Sequence, residues 1–305
     1  MKYKVNVLLS TYNGEKYIKE QLDSILKQNG VDVYLTIRDD GSEDSTLEII
    51  EGYAKENSNI IVYKEKNIGW KKSFVTLLTH ANMQCDYFAF ADQDDIWLEE
   101  KLICAIKKIE NQEVPALYQS KTILVDENLH RIQDYKIYEE PRNAQQALLN
   151  AWAQGCSMVF NKKACELSIR CIPNSNAAHD MWVYLICYFM GIIYFDIDNS
   201  YVLYRQHSTN ATSGAADGHN VWGMKFIKKQ IQLLVKHELY SNYARDIYMN
   251  YKDELKEEDK LILEKWSDYR ENVRHKMELL VDKQVSKRTY KGTLALKLAI
   301  LFSMF

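Results

Sequence analysis

Three carboxylates stand within four positions, Asp92, Asp94 and Asp95, in the run Phe90-Ala91-Asp92-Gln93-Asp94-Asp95-Ile96-Trp97. Carboxylates this close repel one another and raise each other's pKa unless a cation lies among them, so the spacing points to a divalent metal site. A solvated turn opening a helix, with Asp95 as its N-cap, accounts for the same octet without chemistry. The apolar run just before it, Tyr87 to Phe90, reads as a buried strand and sets the cluster at a strand end. Asp180 is a second candidate, ahead of apolar Val183 to Met190, where it is either a base facing a cleft or a helix cap. Arg205 and His207 form a third, after strand-like Tyr201 to Tyr204.

Positioning such groups requires a scaffold, and the first 110 residues alternate strand-like and helix-like segments. Lys4 to Leu9, Val31 to Ile37, Ile60 to Tyr63 and Tyr87 to Ala91 are apolar runs of strand length. Lys16 to Gln28, Ser45 to Lys55 and Ser73 to Ala81 carry apolar residues at helical spacing. The alternation predicts an α/β fold with a mostly parallel sheet and helices on both faces, whose ligands bind at the carboxyl ends of the strands. Each strand end carries polar or turn residues: Ser10 to Glu15, Arg38 to Ser42, Glu65 to Trp70, and the aspartate cluster. None matches a phosphate-cradling Gly-x-Gly-x-x-Gly or Gly-x4-Gly-Lys-Ser loop, which argues against a dinucleotide oxidoreductase or a P-loop NTPase. Later segments predict a strand over Ala116 to Val125 and a small, apolar stretch over Gly155 to Phe160.

With 305 residues, 47% of them hydrophobic, the chain can hold one catalytic core plus an appendage. The division expected is 1–219 for the core and 220–305 for an all-helical C-terminal extension, because 221–290 is dense in Lys, Glu, Leu, Ile and Tyr at helical periods. A net charge of −3 excludes the strongly basic face of a nucleic-acid binder. Six cysteines without a Cys-x-x-Cys pair indicate neither a zinc site nor a disulfide framework, and fit a reduced cytoplasm. Val5 to Leu9 is too brief for a signal-peptide core. The final stretch joins Lys283, Lys287, Arg288 and Lys291 to Leu294 through Phe302; too short to span a bilayer, it reads as an interfacial membrane anchor or as a helix packed on the core or on a second subunit, a homodimer included.

Four motifs in order along one α/β domain resemble the family 2 glycosyltransferases of the GT-A fold. They are Val7-Leu8-Leu9-Ser10-Thr11-Tyr12-Asn13-Gly14, Arg38-Asp39-Asp40-Gly41-Ser42, Lys66-Asn67-Ile68-Gly69 and Asp92-Gln93-Asp94-Asp95. The resemblance covers about residues 3 to 215. Within the family, Ala91 to Trp97, His179-Asp180-Met181-Trp182 and Tyr204-Arg205-Gln206-His207 are similar to bacterial rhamnosyltransferases and related enzymes building capsule, O-antigen or cell-wall polysaccharide.

That resemblance implies an inverting glycosyl transfer from a dTDP or UDP sugar to a saccharide acceptor, lipid-linked and at the inner face of the cell membrane. It implies Mn²⁺ or Mg²⁺ bound by Asp94, with His207 reaching the metal or the diphosphate. Asp92 is implied on the donor ribose or a metal-bound water, and Asp180 as the base. Donor contacts are expected from Thr11, Asn13, Glu15, Asp39, Asp40, Asn67 and Arg205, with Asp39 and Asp40 accepting from uracil or thymine. Acceptor contacts are expected from Trp152, Gln154, Gly155, His179 and Trp182, and 211–218 resembles a loop closing over the donor. A non-catalytic nucleotide-sugar-binding or scaffolding subunit of the same fold is the alternative. A sugar nucleotidyltransferase would open with a glycine-rich, Arg-containing loop, and Ser10 to Glu15 has neither.

Overall fold

The strands β1 (Tyr3–Thr11), β2 (Val31–Asp39), β3 (Ile60–Lys64) and β4 (Tyr87–Ala91) pair in parallel in the order β3-β2-β1-β4. They do so in a computed structural model that describes residues 2–134, 140–150, 153–173, 177–207 and 239–303. Helices α1 (Ile18–Leu26), α2 (Thr46–Glu56) and α3 (Trp70–Thr79) make the crossovers; α1 lies within the span the helical periodicity predicted, α2 runs one residue past its span and α3 begins three residues before its own. The five residues of β4 are all buried, which explains why its sequence is a continuous apolar run instead of an alternating one.

Beyond β4 the sheet stops being parallel. The short β8 (Val159–Asn161) runs antiparallel to both β4 and β6 (Ala116–Val125). Next to β6 lies the long β9 (Ile192–Arg205), parallel to it, with β5 (Ile96–Trp97) antiparallel on the far side of β9 and β7 (Arg131–Asp134) paired to β6. The whole sheet is thus mixed, the antiparallel β8 joining the parallel first half to the parallel β6–β9 pair. β5 also settles the alternative for Asp95: the next two residues are strand, and α4 begins only at Lys101 (Lys101–Ile109), so Asp95 is not a helix cap.

The two faces carry two hydrophobic clusters. Ile18, Leu22, Leu102 and Ile106 of α1 and α4 fill one against Val5, Val7 and Leu9. The other gathers α3, α5 (Ala144–Leu149), α6 (Lys162–Arg170) and α7 (His179–Met190). It continues without a break into α8 (Leu239–Tyr251), α9 (Glu257–Asp268), α10 (Val273–Val281) and α11 (Tyr290–Leu301). Trp266 Nε1 donates to Gln145 Oε1 at 2.6 Å and the Tyr251 hydroxyl to the Leu167 carbonyl at 2.5 Å, so these helices dock on α5 and α6. Among the described residues no helix is long and apolar enough to cross a membrane.

Candidate active site

The loops after β1, β2 and β3 are tied together by the two aspartates at the end of β2. Asp39 accepts from Thr11 Oγ1 at 2.9 Å and from the Ser42 hydroxyl and amide at 2.5 and 2.9 Å. Asp40 accepts from the Ile68 and Gly69 amides, both at 2.9 Å, and from Arg38 at 2.6 Å. The Arg38 guanidinium also meets Glu65 at 2.9 Å and Ser73 at 2.8 Å. Asp39, Asp40 and Thr11 are nearly inaccessible, so in this conformation their side chains organise the loops rather than face a nucleotide. Gly41, at φ +79°, lets the chain pass so near Asn67 that a Cβ would lie 3.0 Å from its amide. Asn13 takes a left-handed turn (φ 48°), and its side chain holds the Glu43 amide; Glu15 holds that of Ser45, both at 2.9 Å.

Gln93 reaches back across the sheet end, exchanging hydrogen bonds with the Tyr12 backbone at 2.8 and 3.0 Å. The aspartate motif is therefore braced on the first strand's loop. Its other brace is Arg205, whose Nε donates to the Asp94 carbonyl (2.9 Å), Nη1 to the Glu127 carbonyl (2.7 Å) and Nη2 to Glu20 (2.5 Å). Tyr17 lies under the guanidinium, 4.5 Å away. With 3% exposure and its Nε and Nη groups turned to protein acceptors, Arg205 braces the motif in this conformation. Sequence reasoning missed Glu20 and Tyr17, which lie nearly 190 residues away along the chain.

Asp94 Oδ2 meets His207 Nε2 at 2.8 Å, bringing together the two residues expected on the metal. Asp92 is half-buried, and burial followed by the charges of Asp94 and Asp180 pushes its pKa up to about 7. Such mutual repulsion is relieved by a cation, so the residues present fit a hard divalent ion.

Behind the motif, ligand atoms of Asp92, Asp95 and Cys156 all lie within 4.8 Å of one another. This group is poorly suited to Mg²⁺ or Mn²⁺. Burial raises the Cys156 thiol and the Asp95 carboxyl well above their ordinary values, which disfavours the charged forms a hard cation needs. Lys101, also buried, stands beside them with Nζ 3.6 Å over the Trp97 ring, its pKa lowered to about 7 by desolvation. Lys101 and Cys156 gave no sequence signal: the lysine follows Glu99-Glu100 like an ordinary surface residue, and the cysteine has no Cys-x-x-Cys partner.

Asp180 occupies the second position of α7. Its Oδ1 accepts from the Met181 amide at 2.7 Å, and the Gly155 amide donates to the same carboxylate. Burial raises its pKa while these N–H groups oppose the rise. Gly155 is needed for the approach, since a Cβ there would sit 2.9 Å from His179 Nε2.

Of the expected acceptor residues, two are packed into the core in this conformation. Trp182 is wholly buried, donates Nε1 to the Ser168 carbonyl at 2.9 Å and stacks on Tyr243, so its face meets no sugar. His179 is clamped between Phe74 and Phe90, with ring centroids 4.0 and 4.4 Å away. Desolvation drops its pKa to about 3, leaving a neutral ring that supports the Asp180 turn from beneath. Gln154 donates to Thr122 Oγ1 at 2.9 Å beside Gly155. Trp152 and the loop 211–218 lie outside the described residues.

Residues 6–167 match the Glycosyl transferase family 2 domain. The chain belongs to that family. It is 32% identical over 220 residues to the dTDP-rhamnosyl transferase RfbG of Shigella flexneri, a match covering 66% of this chain and 72% of the relative. Its fold is similar to that of S. aureus TarS, solved with UDP-GlcNAc, at a TM-score of 0.56 and 18% identity, covering 100% of this chain and 93% of that one. It is similar also to the mannosyltransferase PcManGT of Pyrobaculum calidifontis, solved with GDP-Man and Mn²⁺: TM-score 0.53, 14% identity, 100% and 89% covered. The protein is thus a glycosyltransferase with the GT-A architecture.

Proposed function

We propose that this glycosyltransferase is inverting and divalent-cation-dependent, moving a sugar from a nucleoside-diphosphate donor to a saccharide acceptor in bacterial surface-polysaccharide synthesis. The likeness to a dTDP-rhamnosyl transferase makes dTDP-rhamnose the first donor to test, ahead of UDP-hexoses. The observation that carries the reading is the convergence of Asp94, His207, Asp92 and Asp180: two side chains in contact at 2.8 Å, with Asp180 near enough for its charge to raise the pKa of Asp92.

Asn13, Glu15 and Asn67 belong to the loops that receive the donor in this reading, with Asp39 and Asp40 holding those loops in register. A divalent cation on Asp94 and His207, with Asp92 beside it, would supply Lewis-acid stabilisation of the departing diphosphate. Asp180 takes the proton of the acceptor hydroxyl as its oxygen attacks the anomeric carbon and the bond to the diphosphate breaks. Burial makes Asp180 a stronger base than a solvated carboxylate, and the two amides oppose that rise in pKa and aim the carboxylate. A single base serves a single displacement, so the anomeric configuration inverts.

The test is nucleoside-diphosphate release from dTDP-rhamnose, UDP-glucose, UDP-galactose and UDP-N-acetylhexosamines, with Mn²⁺ or EDTA, followed by NMR of the product linkage. Turnover that EDTA abolishes, with an inverted anomeric centre, is the expected result. Undiminished turnover in EDTA overturns the metal dependence, and a retained configuration overturns the role of Asp180.

A further inference from the structure

From Val273 to its end the chain carries seven Lys or Arg and two Asp or Glu, a formal net charge of +5. The whole chain carries −3, so everything before Val273 carries −8. The charge is segregated onto α10 and α11, which lie antiparallel: Lys276 meets Ser303, while Lys297 Nζ donates to the Leu279 and Asp282 carbonyls at 2.7 Å.

The apolar run of α11 is not itself an exposed anchor, because Ala295, Leu296, Ala299 and Ile300 are buried in the core. The hairpin's outer surface is apolar through a different set. Val273, Met277 and Val281 recur every fourth residue of α10 with exposures of 71%, 52% and 73%, the spacing of one helix face. Tyr290 and Phe302, 83% and 68% exposed, stand at the two ends of α11. Of the cations, Lys297 turns inward, burial depresses the pKa of Lys287 and Arg274 pairs with Glu278 at 2.9 Å, while Lys283, Arg288 and Lys291 are exposed.

We propose that the α10–α11 hairpin is a docking surface for an anionic lipid membrane, its apolar stripe entering the headgroup boundary and its cations pairing with lipid phosphates. An apolar face ringed by one sign of charge, on a protein otherwise of the opposite sign, matches a negatively charged bilayer. A second copy of this chain would bring +5 against +5, which disfavours self-association through the same face. The inference deepens the reading above, since its purpose, reaching a lipid-linked acceptor, rests on that reading.

The test is sedimentation of the full chain with vesicles of phosphatidylcholine alone or with one third phosphatidylglycerol. Binding to the anionic vesicles at least twentyfold tighter than to the neutral ones, and weakened by salt, is expected. Each exposed cation contributes roughly fivefold, so Lys283→Glu with Lys291→Glu should cost at least twentyfold, and Met277→Asp should weaken binding by removing apolar area and adding a charge the anionic surface repels. Donor turnover and the far-UV spectrum of each variant should stay at wild-type values. No binding, equal binding to both vesicle types, or binding untouched by Met277→Asp and the double reversal overturns the proposal. So does a dimer in light scattering that Met277→Asp disperses. Vesicle binding without turnover of any donor would sink the catalytic reading and leave this surface standing.

Discussion

Replacing Asp180 with asparagine separates the base from the metal motif. The amide nearly preserves the carboxylate's shape, and its oxygen can still accept from Met181, now at 2.7 Å, so the helix start should survive. What is lost is the ability to take a proton. A positioned general base is worth about 10² to 10⁴ in rate, or about 3 to 5 kcal/mol of barrier. The second consequence has the opposite sign. Asp92 titrates near 7 partly because Asp180 repels its charge. Without that charge Asp92 is more fully ionised at neutral pH, and a divalent cation should bind at least as tightly as in the wild type. Asp94→Asn, by contrast, removes a charge and the His207 contact together, and should weaken Mn²⁺ binding at least tenfold. Calorimetric Mn²⁺ titration beside nucleoside-diphosphate release reads both effects. Turnover of Asp180→Asn within tenfold of wild type, or an equal loss of Mn²⁺ affinity in both variants, would refute the division of roles.

Arg205→Met should cost about 2 to 3 kcal/mol in urea unfolding, the lower side of the range for a broken buried pair because Glu20 is half-solvated, and should weaken Mn²⁺ binding. Arg205→Lys should not rescue it, since an ammonium cannot reach Asp94, Glu127 and Glu20 at once; rescue would mean that charge alone suffices. Lys101 has a folded pKa near 7 against an ordinary 10.5, so its burial cost is present in full below pH 7 and disappears as pH rises toward 10.5. Lys101→Met should therefore gain about 1 to 4 kcal/mol at pH 7, with the gap to wild type closing by pH 10; a less stable variant would show that the lysine stabilises its surroundings as a cation. Tyr243→Phe removes the hydroxyl that accepts from the Ala178 amide at 2.8 Å and should cost about 1 to 3 kcal/mol in urea unfolding with lowered turnover and unchanged Mn²⁺ affinity. Unchanged turnover would mean that the start of α7 holds its position without that bond.

The parallel half of the sheet was legible because each strand is a largely apolar run, wholly buried only in β4, followed at once by turn chemistry. The motif residues Asp92, Asp94, Asp180 and His207 were legible as chemistry, since closely spaced carboxylates and a histidine after a strand are unusual. Their supports were not. β5 is two residues long and exists only by pairing with Leu203 and Val202, a hundred residues on, which no local pattern encodes. Arg205 looks like a phosphate ligand until Glu20 and the Glu127 carbonyl are brought beside it by the crossing of β9 behind the motif. Trp182 shows why position in a motif does not fix direction: one residue past Met181 on α7 the helix face turns from the cleft to Tyr243 and Tyr251. The exposed stripe of α10 was equally hidden, because Val273, Met277 and Val281 have the spacing of a core-facing helix.

The two halves of the site rest on different parts of the chain. Asp92, Asp94 and the loops after β1, β2 and β3 fall within residues 6–167, the span matching the family domain. Arg205 and His207 lie beyond it, and so does Asp180. It stands on α7, whose preceding residue Ala178 is gripped by Tyr243 of α8, and whose Trp182 is packed against Tyr243 and Tyr251 of the same helix. The C-terminal helices thus pack directly on the start of α7. Because α8 to α11 share one core with α7, the hairpin belongs to the same packed unit as Asp180. On the function proposed above, a surface that holds the hairpin would also set the direction from which an acceptor reaches Asp180.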